Sequence, residues 1–443
     1  MSLSFSGGLH IRDFKKPVCS FETKPLMPCR EHIYPVTQHI GAPLKVLVKP
    51  GDMVKVGEKI ADAEEYTAVP VHSSVSGTVT KIEKHIHPSG SVIESVFVEN
   101  DMLYTPIDGA EPIKIIDSRS KRELLWIIRE AGIVGLGGAG FPAHIKLDTD
   151  KKIKFLIING AECEPYITAD HRRMVENTDD VIFGIKVVMK ILGLDTSYIG
   201  IETNKRECID LMKQHLRYDK SVNIMPLKPK YPQGAEKMLI KAITGKSVPS
   251  GGLPADVGAV VFNVETVYEI GHVFKTGMPL TERIVTVSGD AVKEPSNFRV
   301  PLGVPISFLF ESAGGFVKEP QKIVMGGPMM GAAQYSTDVP VVKTTSSVLA
   351  FSKADRAYNA EAPCIRCGKC VSHCPMHLMP NMLSTFAAKN DADSAEKYHI
   401  LDCMQCGMCS YVCPARKNPL GAIRIMRPIV MKNIRNRKEA AEK

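Results

Sequence analysis

The sequence predicts a multidomain α/β protein, and three observations carry that prediction. Short β-branched runs separated by turns extend from about Gln38 to Glu99, which is typical of a β domain. Helical and strand patterns alternate around a glycine-rich loop in the middle third, which favours a Rossmann-like domain. One cysteine pattern then occurs twice between Cys364 and Pro414, which indicates a metal-cluster domain.

Length and composition limit the number of domains and the class of protein. A chain of 443 residues corresponds to several domains, each long enough to bury a core. Its 44% hydrophobic and 23% charged residues are ordinary for a soluble protein, and no run approaches the roughly 18 apolar residues of a membrane-spanning helix. The start, MSLSFSGGLHIRDF, lacks the apolar core of a secretory signal, and the free cysteines favour the cytoplasm. The net charge of +8 is modest, and we expect no nucleic-acid partner.

The N-terminal β domain has the pattern of a repeated unit. PLKVLVKPGDMVKVGEKIADAEE and AVPVHSSVSGTVTKIEKHIHPSG resemble the two halves of a biotinyl/lipoyl-type barrel-sandwich domain. A carrier of that type needs a modifiable Lys in the hairpin between the halves. The hairpin from Ala63 to Ala68 has none, so we interpret the domain as a scaffold.

The glycine-rich loop of the middle third lies between a helix and a strand. Apolar residues at helical spacing predict a helix from Ser118 to Gly132, and an apolar run predicts a strand from Lys154 to Asn159. Gly135 to Gly140 can bring backbone N–H groups against a phosphate or a flat ring, because no Cβ intervenes. The loop follows a helix, which is not the context of a Rossmann fingerprint, so a tight packing turn stays open as an alternative.

The two cysteine runs both read CxxCxxCxxxCP, which is the bacterial ferredoxin pattern. In that pattern the fourth Cys of each run binds the cluster of the other run. The prediction is therefore two [4Fe-4S] clusters, one on Cys364, Cys367, Cys370 and Cys413, the other on Cys403, Cys406, Cys409 and Cys374. Structural zinc sites and disulfides are the alternatives.

The residues between the runs predict an α-helical ferredoxin domain. Leu383, Phe386 and Ala387 share one face of a helical pattern there. We expect the methionines that flank the cysteines to form an apolar shell around the clusters: Met376, Met379, Met404 and Met408.

Several separated motifs in a fixed order resemble those of the C subunit of the Rnf electron transport complex, a ferredoxin:NAD oxidoreductase. They are GGAGFPxxxKL, NGAECEP, YPQGAE, FNVET, an SLBB-type β-grasp segment from Arg283 to Gly331, and the double cysteine run. The same motifs are similar to the NADH-binding flavoprotein subunit of respiratory complex I. The resemblance covers nearly the whole chain and implies five regions: an N-terminal segment with the barrel-sandwich domain (1–112), an FMN/NADH-binding domain (113–275), an SLBB β-grasp domain (276–350), a double-cluster ferredoxin domain (351–430) and a basic tail (431–443).

The resemblance also implies site residues. The FMN contacts would be Gly135, Gly138, Lys146, Asn159, Glu162, Tyr231, Gly234, Asn263 and Thr266. The nicotinamide would stack on Phe141, and Glu164 and Glu236 would face the nucleotide. The chain departs from the complex I pattern at two places. Val134 and Leu136 replace two arginines, and Ala235 replaces a second Glu.

The function that the resemblance implies is electron transfer to NAD at the cytoplasmic face of the membrane. Electrons from reduced ferredoxin would cross membrane subunits, enter the two clusters, pass to FMN and reduce NAD, coupled to sodium or proton export. The implied partners are hydrophobic and covalent-flavin subunits and NADH, with ferredoxin acting indirectly. The alternatives are a cobalamin reductase of the propanediol-utilisation type, in which the flavin domain comes first, and a non-catalytic electron-transfer scaffold, for which the two missing arginines argue.

The C-terminal segment is basic. Its charged residues suit an acidic partner or an anionic membrane face, and a solvated frayed helix is the alternative: Arg416, Lys417, Arg424, Arg427, Lys432, Arg435, Arg437 and Lys438. Pro428 predicts a short helix followed by a basic arm, because proline interrupts helical hydrogen bonding.

Overall fold

The N-terminal β domain consists of short strands joined by turns. The computed structural model describes residues 2–113, 118–352 and 361–441 of the chain. The first elements are α1 (Lys16–Cys19), β1 (Lys24–Pro25), β2 (Glu31–Pro35), β3 (Lys45–Val46), β4 (Met53–Val54), β5 (Lys59–Asp62), β6 (Val71–His72), β7 (Gly77–Ile86) and β8 (Val92–Asn100). Two sheets result, with strand orders β2-β8-β7-β4 and β3-β5-β6. Alternate apolar residues such as Val79, Val96 and Val98 are fully buried between them.

The hairpin between the two halves of this domain packs against the second domain of the chain. Its Tyr66 hydroxyl donates to Asp148 at 2.8 Å, and the Tyr66 carbonyl lies 2.7 Å from the His144 Nε2. At its base, the Arg129 guanidinium pairs with Asp62 at 2.8 Å. These contacts hold the hairpin in place, which supports the interpretation of the domain as a scaffold.

The second domain contains a parallel sheet covered by helices. Its elements are α2 (Lys121–Glu130), α3 (Ala143–Leu147), β9 (Phe155–Gly160), α4 (Ala169–Glu176), α5 (Thr178–Leu192), β10 (Ser197–Glu202), α6 (Arg206–His215), β11 (Val222–Leu227), α7 (Glu236–Thr244), a 3-10 turn (Pro254–Val257), β12 (Ala259–Asn263) and α8 (Val264–Thr276). The strand order is β11-β10-β9-β12, with every pair parallel.

Local sequence explains where the predicted helix of this domain begins and ends. Ser120 accepts a hydrogen bond from the Glu123 backbone and the Glu123 carboxylate bonds back, so a capping box begins α2. Gly132 follows the helix with φ +74°, a conformation that glycine adopts without strain. The helix predicted from Ser118 and the strand predicted from Lys154 are both confirmed.

The third domain is a mixed sheet that shares a core with the first. Its elements are β13 (Glu282–Ser288), β14 (Ser296–Pro301), α9 (Ile306–Ser312), β15 (Lys322–Met325), β16 (Ala332–Gln334) and β17 (Ser347–Phe351), and its strand order is β1-β14-β13-β17-β15-β16. The strand β1 therefore comes from the N-terminal segment. One hydrophobic core contains Val98 of the first domain, Leu136 of the glycine loop and Phe298 of the third domain.

The last domain is helical, as predicted. Its elements are α10 (Lys369–Ser372), α11 (Pro380–Ala388), α12 (Ala392–Lys397), a 3-10 turn (Ile400–Asp402), α13 (Met408–Tyr411) and α14 (Pro419–Ala441). Leu383 is fully buried, and Phe386 and Ala387 pack beside it. Residues 353–360, at the start of the expected ferredoxin domain, and the last two residues of the expected basic tail lie outside the described residues.

Two predictions for this domain are wrong. The helix α14 continues through Pro428, so the tail is not a separate basic arm. Ile423, Met426 and Val430 of this helix are buried against α11 and α12, and that burial keeps the helix continuous. Met379 is 42% exposed and does not belong to an apolar shell. Within the described residues, no helix is both long and apolar enough to cross a membrane.

Candidate redox site

The glycine loop presents an open stretch of backbone. Its ends are closed by hydrogen bonds from the Gly135 N–H to the Phe141 carbonyl at 2.8 Å and from the Gly140 N–H to the Gly135 carbonyl at 3.0 Å. Gly138 has φ +102°, and a Cβ placed on it would meet no atom within 4 Å. A flat ring or a phosphate can therefore lie directly against this backbone, so the loop fits a flavin.

The back of the loop is fixed to the N-terminus of α8. The Leu136 N–H donates to the Thr266 hydroxyl at 3.0 Å, and Arg283 donates to the Leu136 carbonyl at 3.3 Å. Gly137 faces Asn263 so closely that a Cβ would lie 3.1 Å from the Asn263 Cβ. Thr266 is fully buried, so its hydroxyl supports the loop from behind.

The carboxyl ends of two neighbouring parallel strands lie beside the glycine loop, and we call the region that the loop and these ends border the cleft. Asn159 at the end of β9 and Asn263 at the end of β12 are register partners. The Asn159 amide donates to the Gly234 carbonyl at 2.9 Å, and its oxygen accepts from the Ala161 N–H at 3.1 Å. The Gly234 N–H donates to the Cys163 thiol at 3.3 Å. This edge is where open parallel sheets bind ligands.

The mouth of the cleft carries opposite charges and one exposed ring. The Lys146 ammonium pairs with Glu236 at 2.6 Å, and both side chains are partly exposed. Lys146 also lies 5.4 Å from the centre of the Phe262 ring. Phe141 is 40% exposed, so part of its ring is open to a stacking partner. The positive charge that an anionic ligand would contact here is the Lys146 ammonium, which is already paired with the Glu236 carboxylate.

Glu162 is held entirely by protein groups. One carboxylate oxygen accepts from the Asp170 N–H at 2.7 Å, and the other pairs with the buried Lys15 ammonium at 3.2 Å. The same ammonium donates to the carbonyls of Glu162 and Ile167, each at 2.6 Å. Glu162 therefore fixes the chain after β9 to the N-terminal segment and begins α4.

Glu164 and Tyr231 connect the cleft to the third and fourth domains. One Glu164 oxygen accepts from the Met329 N–H at 3.0 Å, and the other lies 3.3 Å from the Tyr231 hydroxyl. Gly327 is required beside this carboxylate, since a Cβ there would lie 2.1 Å from it. The Tyr231 hydroxyl donates to the Cys406 carbonyl at 2.7 Å. Burial raises the pKa of Glu164 to about 7.

Four cysteines from both runs line one internal cavity. They are Cys374, Cys403, Cys406 and Cys409. The cavity is otherwise lined mainly by apolar residues, namely Pro375, Met376, Leu378, Pro380, Met404, Met408, Leu420 and Ile423. The set is the one expected for the second cluster, including the crossed contribution of Cys374.

The remaining four cysteines lie nearer the surface. Cys364 and Cys367 are exposed. Burial raises the pKa of the Cys370 thiol, and the negative charge of the Cys413 thiolate adds to that effect. Burial and the three other thiols of the cavity raise the pKa of Cys409 to about 12. Metal binding at either group must therefore displace thiol protons.

The cysteine pattern favours iron-sulfur clusters over single-ion zinc sites. Both runs read CxxCxxCxxxCP, the spacing of two-cluster ferredoxins, in which the fourth thiol of each run crosses to the other cluster. The cavity brings Cys374 of the first run together with three thiols of the second run, which is the donor set of one such cluster. These thiols and their mainly apolar surroundings therefore fit an iron-sulfur cluster.

Asp170 is a residue of the cleft that sequence reasoning missed. Its carboxylate accepts from the Asn263 amide at 2.6 Å, opposite the Asn263 oxygen that caps α8. Burial raises the pKa of Asp170 to about 7, and the carboxylates of Glu162 and Glu265 add to the effect. Beneath it, Glu265 and Arg173 form a buried ion pair at 2.7 Å. No local motif marks these residues, because their partners lie far away in sequence.

Comparisons with known families divide the chain into four matched regions. The barrel-sandwich hybrid domain of RnfC matches residues 3–103, and the FMN-binding domain of Nuo51 matches 128–272. An SLBB domain matches 284–333, and a 4Fe-4S dicluster domain matches 356–414. The predicted fold class and its order of domains are confirmed. The chain thus carries an FMN-binding domain and an iron-sulfur dicluster domain, with NAD as the nucleotide of the family.

Curated relatives match along almost the whole chain. The C subunit of the proton-translocating ferredoxin:NAD(+) oxidoreductase complex of Clostridium ljungdahlii is 45% identical, over 91% of this chain and 88% of that protein. Its counterpart in the Na(+)-translocating complex of Acetobacterium woodii is 41% identical, over 95% and 96%. The C subunit of the ion-translocating oxidoreductase complex of Rhodobacter capsulatus is 37% identical, over 90% and 78%.

A solved structure supports the fold. A crystal structure of an NAD+-reducing [NiFe]-hydrogenase in the H2-reduced state matches with a TM-score of 0.50 and 17% identity, over 70% of this chain and 63% of that one. At that identity the likeness shows the fold alone. The relatives, in contrast, match at 37% to 45% identity over at least 90% of this chain. The chain therefore belongs to the RnfC family, the C subunits of Rnf-type ferredoxin:NAD(+) oxidoreductase complexes.

Proposed function

We propose that the chain passes electrons from two [4Fe-4S] clusters to NAD as the peripheral subunit of an ion-translocating ferredoxin:NAD oxidoreductase. The observation that carries this proposal is the position of Tyr231. Its backbone belongs to a wall of the glycine-loop cleft, and its hydroxyl binds the carbonyl of Cys406, a residue of the four-cysteine cavity. The cleft and the cavity are thus joined through one buried side chain.

The proposed cofactor contacts fall into two groups. Gly135, Gly138, Lys146, Asn159, Gly234 and Asn263 line the open cleft and would contact FMN. Glu162, Tyr231 and Thr266 are buried behind this cleft and bonded to protein groups, so they would position its walls. When bound, FMN exchanges either one or two electrons, which suits it to work between one-electron clusters and a hydride carrier.

The two cysteine groups have different places in this scheme. The inner group of Cys374, Cys403, Cys406 and Cys409 lies next to the cleft through Tyr231 and has a mainly apolar lining. The group containing the exposed Cys364 and Cys367 faces outward. We propose that electrons enter at the outer group and reach the cleft through the inner one.

Reduction of NAD+ to NADH takes up two electrons and one proton, and iron-sulfur centres supply only electrons. The Glu164 carboxyl beside Tyr231 can hold or release a proton near neutral pH, because burial raises its pKa to about 7. We propose that Glu164 and Glu236 face the nucleotide, with Phe141 stacking on the nicotinamide. The same proposal includes ferredoxin as the ultimate electron donor and hydrophobic and covalent-flavin membrane subunits as partners. It also includes sodium or proton as the coupled ion and the cytoplasmic face of the membrane as the location.

The test is reconstitution under anaerobic conditions, followed by iron, flavin and electron-transfer measurements. The wild-type protein should bind about eight irons and one FMN, and NADH should reduce the flavin and then the clusters. Cys374→Ala should retain about four irons and lose the inner cluster, since Cys374 is its crossed ligand. About four irons in the wild type, or zinc, would contradict the cluster assignment. Protein with clusters but no FMN would instead favour the non-catalytic scaffold.

A further inference from the structure

The surface around the outer cysteine group brings two segments of the chain together. The Ala362 N–H donates to the Ala415 carbonyl at 3.1 Å, so the segment before Cys364 lies beside the segment after Cys413. We call this surface the outer-cluster face. It consists of Cys364, Ile365, Arg366, Cys367, Lys369, Tyr411, Arg416 and Lys417.

The charge of this face is strongly one-sided. Residues 361–377 and 411–418 contain Arg366, Lys369, Arg416 and Lys417, and Glu361 is their only acidic residue. Arg366, Lys369 and Arg416 are exposed. Lys417 pairs with Glu361 at 3.1 Å, which leaves the excess positive charge on the other three residues.

Two apolar side chains lie within this basic surface. Ile365 is 66% exposed and Tyr411 is 50% exposed. Both are near neighbours of cluster-type cysteines in the sequence: Ile365 follows Cys364, and Tyr411 lies two residues before Cys413. Apolar residues with a charged rim are the composition of small, transient protein interfaces.

We propose that the outer-cluster face is the docking site for an acidic protein that carries single electrons. The inference rests on the proposed function and differs from the expected indirect role of ferredoxin in one respect, since the carrier docks on this chain itself. Positive charge around the exposed cysteines attracts and orients an acidic carrier, and Ile365 and Tyr411 exclude water once it is bound. The inner cysteine group cannot play this part, since Cys406 and Cys409 are buried.

The first test is binding, measured with the oxidised, iron-loaded protein and a small acidic ferredoxin as the probe. The variant Arg366→Gln/Lys369→Gln/Arg416→Gln should weaken binding roughly tenfold at low salt. The loss should shrink in about 0.5 M salt, where charges are screened within a few ångströms. The control Lys45→Gln/Lys49→Gln/Lys84→Gln removes the same charge from exposed residues of the barrel-sandwich domain and should bind as the wild type does.

The second test is cluster reduction by the reduced ferredoxin, compared with reduction by methyl viologen. The docking variant should slow the first reaction and leave the second unchanged, because a small cation needs no basic docking face. Should the triple variant lose iron, Lys369→Gln/Arg416→Gln takes its place.

Three results would overturn the proposal. They are unchanged binding of the docking variant, an equal loss in the control, and no ferredoxin binding by the wild type. The proposed function is judged separately, by whether NADH reduces the clusters of the wild-type protein.

Discussion

Gly138 shows how much of the candidate flavin site depends on a single backbone conformation. Its φ of +102° and the open space in front of it are what a flat cofactor requires of the loop. Gly138→Val should therefore lose FMN, because the new Cβ occupies the space of the cofactor, while the iron content stays at the wild-type value. The measurement is acid-released flavin and iron per chain.

The control for this change is Gly90→Val. Gly90 has φ +85°, a Cβ on it would likewise meet no atom within 4 Å, and it lies in the hairpin between β7 and β8. Both substitutions strain a left-handed glycine at an open position, so backbone strain alone should affect both proteins equally. Stoichiometric FMN in the Gly138 variant would show that the loop does not contact the cofactor.

Glu164 predicts a pH-dependent stability. Burial raises its pKa to about 7, above the ordinary value of 4.5, so the folded protein favours the protonated form. Stability from this group is therefore fully present below about pH 4.5 and is lost as the pH rises to about 7. Glu164→Gln mimics the protonated form at every pH. The stability gain of the variant over the wild type should grow as the pH rises from 5 to 8 and reach roughly 3 kcal/mol above pH 7.

This prediction is checked by thermal unfolding of the two cofactor-free proteins across that range. Asp170 also has a raised pKa, but it is present in both proteins and cancels in the comparison. A difference in melting temperature that does not change with pH would contradict a raised pKa at Glu164.

At the residue scale, sequence reasoning reaches furthest where the spacing itself encodes geometry. The doubled cysteine run predicted which thiol crosses between groups, and Cys374 does lie with Cys403, Cys406 and Cys409. It could not foresee the support around Glu162, since Lys15 and Asp170 reach that carboxylate from different parts of the chain. Such contacts depend on tertiary structure and leave no periodic pattern.

At the scale of elements, the N-terminal segment has a position that its sequence does not reveal. Residues 3–15, which we call the strap, run along the cleft wall and the cluster domain. Leu9 exchanges backbone hydrogen bonds with Tyr231 at 2.9 and 3.0 Å, and the Gly8 N–H donates to the His373 carbonyl at 2.9 Å. A Cβ on Gly7 would lie 2.8 Å from the Cys374 carbonyl. The strap therefore touches both sides of the proposed electron path.

Gly8→Ala should move the strap, because Gly8 has φ +66° and its Cβ would lie 2.4 Å from the Tyr231 carbonyl. Electron exchange between the flavin and the inner cluster should slow on the order of tenfold, since a small displacement of reacting groups has a large effect on rate. Stopped-flow absorbance separates flavin reduction by NADH, which should be unchanged, from the later reduction of the clusters.

Gly51→Ala is the matched control, because Gly51 has φ +94° with no atom within 4 Å of its Cβ position. It should reduce its clusters at the wild-type rate. If the Gly8 variant does so as well, with full FMN and iron, the strap has no influence on the electron path.

The wrong prediction for α14 has an energetic explanation. Proline in a helix costs about 3 kcal/mol, which the sequence pattern treats as a stop. Each fully buried large apolar side chain contributes roughly 1.5 to 3 kcal/mol, and Ile423, Met426 and Val430 are all buried on one side of this helix. Packing on both sides of Pro428 therefore outweighs the interruption. The sequence pattern does not show that α14 packs against α11 and α12, and that packing decides whether the helix continues.

At the scale of the whole molecule, the predicted domains are not separate bodies. The barrel-sandwich domain, the glycine loop and the SLBB-type sheet share one hydrophobic core. Lys343 of the third domain is fully buried and donates to the Pro70 carbonyl of the first domain at 2.6 Å and to the Gly132 carbonyl of the second at 2.7 Å. Motifs correctly predicted the order of the domains, but such shared packing has no signature within any one of them.

The exposed surface of α14 combines apolar and basic side chains, which suggests a role in membrane association. The side away from the core has exposed Ile425, Ile429 and Met431, followed by exposed Lys432 and Arg435. Apolar residues next to basic ones suit the interface of an anionic membrane or the membrane subunits. Each basic residue near such a surface contributes on the order of 1 kcal/mol, and salt screens it.

Lys432→Gln/Arg435→Gln/Lys438→Gln should therefore weaken association with membranes that contain the partner subunits, most strongly at low salt. Three charges near the surface correspond to a loss of up to about 100-fold, and co-sedimentation over a series of salt concentrations measures it. NADH oxidation with a soluble acceptor should be unchanged, because Lys432, Arg435 and Lys438 are exposed side chains of the cluster domain. The Lys45→Gln/Lys49→Gln/Lys84→Gln protein has the same net charge and should sediment as the wild type does. Equal sedimentation of all three proteins at low salt would mean that the chain docks through another surface.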